Sequence, residues 1–407
     1  MAKIDNLIAC EVNQERQAPT LVFGASGVSG WAFVNEILND YPQKSVWSGV
    51  HALTNRPLDP QAALWPKDER LTVTSGINLL EGSQQNVEHK LAAIPGIKNV
   101  THVVYLAFKA STDTAVEVKD NIEMFKRAIT AVDRLCPSLA FVVNQTGSKT
   151  YGCHLLHDRP EYLKPPFKED GPRLGPPGSE TIFYTTQLEW LTGFAKEKTW
   201  SWAETRPDII IGFVPNQNFY SLGMALGFFL ALYREKHGAG AECPFPGTDA
   251  SWKAKCQDSS SDMIARQTIH IMLSPKTTKG QAFNVADERK ASTWEDKWPV
   301  LCSLFSLNGV KTPHDNPIEV RKFIKENYAT WEAMEEKYGL VKGQADNSRV
   351  IPGFEYFLLT MFDLDRQFDM SRVYDELGFD EERSVKETWE RVFARMAKAK
   401  LIPTTSK

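Results

Sequence analysis

The sequence has no excess of basic residues. Its 47 Lys and Arg stand against 51 Asp and Glu, a formal net charge of -4, so neither nucleic acid nor an anionic membrane surface is expected as a partner. Cysteine is sparse as well. The six cysteines, at positions 10, 136, 153, 243, 256 and 302, show neither CxxC spacing nor the density of a secreted disulfide scaffold. Reduced thiols in a cytosolic setting are therefore expected, and no metal site. Nowhere do about 18 apolar residues run without interruption, and the nearest approach, 222–233, reads as a buried helix. The first eighteen residues carry Lys3, Asp5, Glu11, Glu15 and Arg16 and no apolar stretch of signal-peptide length, and the closing Thr-Ser-Lys is not a peroxisomal tripeptide. At 42 % hydrophobic and 24 % charged over 407 residues, the composition also excludes disordered and collagen-like chains. What these absences leave is a folded cytoplasmic protein whose partner is a small molecule.

What is present begins with a short apolar run, 20–24, that meets the cluster Gly24-Ala-Ser-Gly27-Val-Ser-Gly30, after which Trp31 onward continues with helical periodicity. Further strands are predicted at 45–53, 71–74, 101–107 and 139–145, with helices over 83–94 and 113–135. Strands alternating with helices at this spacing imply right-handed crossovers and a doubly wound α/β domain around a parallel sheet. Beyond residue 150 the regularity breaks: 154–178 holds six prolines and three glycines, which suits a lid or a substrate wall. A helix over 179–198 and a strand over 201–205 follow, then an aromatic-rich region, a strand at 282–285, and a largely helical stretch from Glu319. The expected organisation is an N-terminal extension (1–18), a dinucleotide-binding domain (19–212) with its lid loop at 153–178, and a mostly helical substrate lobe (213–407) sewn back onto the sheet near 282–285.

Glycines at i, i+3 and i+6 after a strand allow a sharp turn, close approach to a pyrophosphate and tight packing of the helix on the sheet. The spacing differs from GxGxxG, but its place after the first strand of an alternating chain favours a dinucleotide. At the end of the second strand no acid stands ready for a ribose diol. Thr54, Asn55 and Arg56 stand there instead, and a guanidinium suits the extra phosphate of NADPH.

A reductase on such a sheet needs an acidic hydroxyl beside the nicotinamide and a cation to lower its proton affinity. Tyr-x-x-x-Lys occurs at Tyr105/Lys109 and Tyr338/Lys342, and both fail on geometry. The first pair starts in a strand, where four residues separate the side chains by about 13 Å, and the second meets Gly339 at a helix end. Tyr184 lies in the helix after the lid, but its i+4 residue is Leu188. Lys149, just beyond the fifth strand, is the candidate cation.

These residues resemble the progesterone 5β-reductase and iridoid synthase-like family, an atypical branch of the extended short-chain dehydrogenases that saturates the C=C bond of enones with NADPH. Thr146-Gly-Ser-Lys149-Thr-Tyr151 is similar to its lysine segment, and Thr181-Ile-Phe-Tyr184 to its tyrosine segment. Further matches are the Gly24–Gly30 cluster, 101–105, Asn121, Arg206-Pro207 through 213, Ser261-Asp262 and 282–285. The resemblance implies a Rossmann sheet of the extended type, Tyr184 and Lys149 as catalytic residues, and NADPH as cofactor. It places the cofactor against Gly24, Ser26, Gly27, Val28, Gly30, Thr54, Asn55, Arg56, Asn78, Leu79, Ala107, Thr146, Lys149, Tyr184, Pro207, Ile209 and Ile210. Departures are Leu53 and Thr54 where the family often has two arginines, Gln187 and Leu188 where it often has acids, and Asn78 where an Asp is common. They point to a divergent, specialised-metabolism member.

Substrate contacts are expected from Phe108, Tyr151, Phe213, Phe219 and Tyr220, with Phe167, Phe228, Phe229, Phe245 and Trp252 nearby, a set suited to an apolar terpenoid, steroid or polyketide-like carbonyl compound. For an enone, hydride goes to the β-carbon while Tyr184 and Lys149 stabilise the enolate. With a carbonyl carbon presented instead, the same pair reduces a ketone or aldehyde. A non-redox isomerase, a cyclase or a cofactor sensor on this fold stays open, as does a homodimer.

Overall fold

The run Thr20-Leu-Val-Phe is apolar but for Thr20, and in the computed structural model, which describes residues 19–59, 61–215, 221–313, 316–345 and 353–404, it is the central strand of a sheet buried on both faces. The N-terminal extension, Cys10, Phe219, Tyr220 and the closing tripeptide lie outside the described residues. The first half runs β1 (Pro19–Phe23), α1 (Val28–Leu38), β2 (Gly49–Leu53), β3 (Leu71–Thr74), α2 (Gln84–Ala92), β4 (His102–Tyr105), α3 (Thr114–Leu135) and β5 (Phe141–Gln145). Next come α4 (Tyr184–Ala195), β6 (Ser201–Arg206), β7 (Ile210–Ile211), α5 (Leu222–His237), β8 (Glu242–Pro244), β9 (Ser259–Ser260), α6 (Ser261–Met272) and β10 (Gln281–Asn284). The last part holds α7 (Trp294–Ser303), β11 (Asn308–Val310), α8 (Val320–Glu326), α9 (Tyr328–Tyr338) and α10 (Val385–Lys398).

Seven strands form one parallel sheet in the order β3-β2-β1-β4-β5-β6-β10, the Rossmann arrangement. Alternate side chains along each strand sort to opposite faces. Leu21, Phe23, Val103, Tyr105 and Val142 pack under α2 and α3, while Val22, Val104, Val143 and Ala203 pack on the α1 side. That second core continues without a break into α5, α7 and α10, through residues such as Phe229, Trp298, Trp389 and Phe393. The described cysteines, 136, 153, 243, 256 and 302, are buried and unpaired with one another as disulfides.

Three features differ most from the sequence expectation. The second strand starts at Gly49, not 45, because Ser45 takes a left-handed φ of 73° that interrupts the extended run. The helix expected from 179 is split: 178–181 is a separate turn, and Ile182 is extended (φ -129°, ψ 141°) and buried. Helix α4 therefore begins at Tyr184 itself. Finally, the stretch between α9 and α10 is not largely helical. Among its described residues, short helical turns at Phe354–Tyr356, Phe357–Met361 and Arg372–Glu376 flank 362–370, and 362–370 spends its hydrogen bonds on distant loops, with the Phe167 amide donating to the Gln367 carbonyl and the Asp369 amide to the Phe167 carbonyl, each at 2.9 Å.

Candidate active site

The strand order reverses between β1 and β4, and ligands of open α/β sheets sit at the carboxyl ends beside such a reversal. Gly24 turns the chain there with φ 80°, and a Cβ on it would come within 2.8 Å of the Leu106 carbonyl, just before Ala107. A Cβ on Gly30 would stand 2.2 Å from the Gly24 carbonyl oxygen, so α1 packs closer to the turn than any larger residue allows. The N-cap, Gly27, contributes no side-chain bond, and no acid lies in the first turn of α1. The amides of Val28, Ser29 and Gly30 and the positive end of the helix dipole are thus left for an anion. Ser26 beside them is half-buried, and Val28 is buried with its Cγ2 where a Cβ on Gly212 would fall. A pyrophosphate fits this cradle.

At the adenosine end Asn55 and Arg56 are exposed beyond β2. Thr54 is not a free contact: it is buried, and its hydroxyl donates to the Arg56 carbonyl at 2.7 Å, so it shapes the loop. The Leu79 side chain belongs to the core under α2 and α3. The Asn78 carboxamide accepts the Leu80 amide at 3.1 Å in a local turn.

Lys149 and Tyr184 arrive from different elements. Beyond β5 the chain passes Thr146 and Gly147 into a short turn, 148–151, that carries Lys149. A Cβ on Gly147 would lie 3.2 Å from the Pro207 carbonyl oxygen and 3.5 Å from the Tyr184 hydroxyl. The phenol of Tyr184, first residue of α4, therefore sits over the turn two residues before the exposed Lys149. Phe183 meets the Tyr184 ring edge-on at 4.8 Å, and Phe108, 39 % exposed, stacks on Phe183 at 5.8 Å, giving one apolar wall. Ile209 and Ile210 are half-buried just past Pro207. His154 bonds through Nε2 to Thr181 Oγ1 at 3.4 Å, and burial, then the Lys149 charge, push its pKa down to about 4.

Other expected contacts turn inward. Tyr151 is fully buried: its hydroxyl donates to Asn284 Oδ1 at 2.7 Å and accepts from Arg206 at 2.8 Å, and its ring stacks on Phe167 at 4.6 Å. Burial pushes its pKa up to about 12, despite the guanidinium. Arg206 pairs with Glu204 at 2.6 Å, and although burial alone would raise the Glu204 carboxyl, the guanidinium holds it below the usual range. Thr146 spends its hydroxyl on the same Glu204 at 2.6 Å. This cluster sits beneath the Lys149 turn and has no face left for substrate, so the assignment of Tyr151 is corrected to a structural one. Phe213 is corrected likewise, since it is buried edge-on against Trp31 at 5.0 Å. Phe167, Phe228, Phe229, Phe245 and Trp252 are core.

The sequence reading singled out Asn121 and Gln187 without giving either a role, and the structure shows that they hold these elements together. Gln187, one turn after Tyr184, donates to the Asn121 carbonyl at 2.9 Å and accepts from Asn144 at 3.1 Å, tying α4 to α3 and β5. Asn121 in turn brackets Lys109, accepting its amide at 2.9 Å and donating to its carbonyl at 2.8 Å. Asp208 and Arg366, which pair at 3.2 Å, carried no signal, because a lone Asp and a lone Arg so far apart define no motif.

The profile of the PRISE-like Rossmann-fold domain family matches residues 20–403. The chain is 33 % identical over 398 residues to a short chain dehydrogenase, sirQ, of Leptosphaeria maculans, covering 96 % of this chain and 98 % of that one. Against the 3-oxo-Delta(4,5)-steroid 5-beta-reductase of Arabidopsis thaliana it is 26 % identical over 379 residues, 91 % of this chain and 90 % of the relative. Among solved structures, the Bordetella bronchiseptica enzyme WbmH in complex with NAD+ shares the fold with a TM-score of 0.57 at 13 % identity, over 94 % of this chain and 99 % of that one. The glycine cradle, the seven-stranded sheet and the full-length match agree: the chain belongs to the PRISE-like Rossmann-fold family of short-chain dehydrogenases and reductases.

Proposed function

We propose that this protein is an NADPH-dependent reductase that saturates the C=C bond of an apolar enone, with Tyr184 and Lys149 at the substrate oxygen. The observation that carries the reading is the Tyr184 hydroxyl placed over Gly147, on the turn that presents Lys149 at the carboxyl end of the sheet. Gly24 to Gly30 would hold the pyrophosphate, and Arg56, with no acid beside the second strand, would take the 2′-phosphate. When bound, NADPH supplies the hydride. Tyr184 donates a hydrogen bond to the carbonyl oxygen as negative charge builds there, and the Lys149 ammonium lowers the proton affinity of the phenol. Phe108 and Phe183 offer the substrate an apolar wall and limit water.

Incubation of the purified protein with NADPH and a conjugated enone tests the reading, with saturated ketone as the expected product. Allylic alcohol would move the reaction to the carbonyl carbon, and NADPH bound without consumption across enones and ketones would point to a sensor. Tyr184→Phe is expected to lower kcat about 100-fold, since losing one oxyanion donor costs roughly 3 kcal/mol, with NADPH affinity unchanged by fluorescence titration. Wild-type turnover in that variant would remove the tyrosine from the chemistry.

A further inference from the structure

The Lys149 turn is braced from within by a charge pair whose second member comes from the far end of the chain. Ser148 donates its hydroxyl to Asp208 Oδ1 at 2.7 Å and its amide to the Pro207 carbonyl at 3.0 Å. Asp208 Oδ2 receives Arg366 Nε at 3.2 Å, and both side chains are 1 % exposed. Arg366 also donates from Nη1 to the carbonyls of Phe362 and Leu364, each at 3.1 Å, and lies over the Phe362 ring at 4.3 Å, so its guanidinium has one orientation. A hydrogen bond to a buried, paired carboxylate is stronger and shorter than one to a neutral acceptor, and it fixes its donor accordingly.

The Arg366 segment also holds the lid loop. Gln367 and Asp369 exchange backbone bonds with Phe167, and Arg159 donates to the Asp365 carbonyl at 3.1 Å. Lys168 pairs with Asp369 at 3.4 Å on the surface. On the other side, the Asp208 amide donates to Ser259 Oγ at 3.0 Å and leads directly into Ile209 and Ile210. One ion pair thus joins the lid, the Lys149 turn and the segment leading into β7, whose Ile209 and Ile210 are expected against the cofactor.

We propose that Asp208 and Arg366 are positioning residues for Lys149: the pair holds Ser148, and with it the backbone from which the Lys149 side chain is presented to Tyr184. The proposal rests on the reading of Tyr184 and Lys149 given above. Misplacement of a reacting group by about 1 Å can cost about 100-fold, and loss of one bond that fixes a turn is a milder case.

Ser148→Ala removes the link and leaves the ion pair whole. It is expected to lower kcat about 10-fold, a fraction of that positional penalty, with the substrate KM and NADPH affinity within about twofold. Arg366→Lys keeps the charge without the fork and is expected to fall between wild type and Ser148→Ala, with the double variant no worse than Ser148→Ala because both act through one bond. Lys168→Ala breaks a surface tie of the same segment and is expected to leave kcat unchanged. A second readout needs no turnover: after reductive methylation with 13C-formaldehyde, the Lys149 resonance, assigned by its loss in Lys149→Arg, is expected to shift and broaden in Ser148→Ala. Unchanged kcat and an unshifted resonance in Ser148→Ala, or full additivity in the double variant, would overturn the proposal. If the wild type reduces neither enones nor carbonyls, the proposed reaction falls, while the resonance still decides whether the brace orders Lys149. If Arg366→Lys does not fold, Ser148→Ala and its resonance carry the decision.

Discussion

At the scale of single residues, the site is built from side chains whose neighbours settle what they can do. Tyr151 and Tyr184 are both tyrosines near the end of β5, yet one is locked between Asn284 and Arg206 and the other is half-buried over Gly147. Of the two, only Tyr184 keeps part of its surface exposed. Arg56 is the cation next to the expected 2′-phosphate, so Arg56→Ala is expected to raise the Kd for NADPH about 10-fold and leave that for NADH nearly unchanged, since one charge-assisted contact contributes roughly 1.5 kcal/mol. Fluorescence titration with both cofactors checks this, and equal losses for the two would remove Arg56 from the phosphate. Gln187 gives a contrasting case, because it touches no ligand and works through α4. Gln187→Leu strands the buried Asn144 amide and is expected to cost about 2 kcal/mol of stability in urea denaturation.

Elements show the same dependence on partners. Helix α10 begins with a capping box between Ser384 and Glu387, a pattern local to the helix start. Its docking is not legible, since Thr388 donates to a carboxylate, Asp287, buried beyond the end of β10. The other oxygen of Asp287 accepts the Ser260 amide at 2.7 Å, so one carboxyl fastens both α6 and α10. Burial lifts the Asp287 pKa from 3.8 to about 7, with the nearby Asp258 charge adding to the rise. Between those values the unfolded chain has released a proton that the folded chain keeps. The contribution to stability is therefore full below about pH 4 and is lost as pH rises through about 7. Asp287→Asn abolishes that titration, so the Tm difference between variant and wild type is expected to move in favour of the variant from about pH 5 to pH 8. A difference independent of pH would show that Asp287 does not titrate there.

Across the whole molecule, the C-terminal part is not an appendage. The core on the α1 side runs into α5, α7 and α10, and Asp262 on α6 receives Arg395 at 2.8 Å, Arg383 at 3.4 Å and Arg391 at 3.7 Å. Despite its burial, these guanidinium groups hold the Asp262 carboxyl below its usual range. Asp262→Asn leaves three like charges facing one another and is expected to destabilise the protein by about 3 kcal/mol, since breaking a buried pair costs that much. A urea midpoint within error of wild type would show the hub to be dispensable. Among the described residues no helix is long and apolar enough to cross a membrane, in line with the buried reading of 222–233.

Strands, crossovers and the glycine turn were readable in advance because each is encoded within about ten neighbouring residues: an apolar run, a turn that needs positive φ at Gly24, a helix start left uncapped at Gly27. The Tyr184 and Lys149 segments were readable through family resemblance, and the structure sets the Tyr184 phenol against Gly147, two residues before Lys149. Burial of Tyr151 and Phe213, the split before α4, and the Asp208–Arg366 brace were not readable. Each depends on contacts between residues tens to hundreds of positions apart, which leave no period or spacing in the chain and arise when the sheet closes and the C-terminal segment packs onto it.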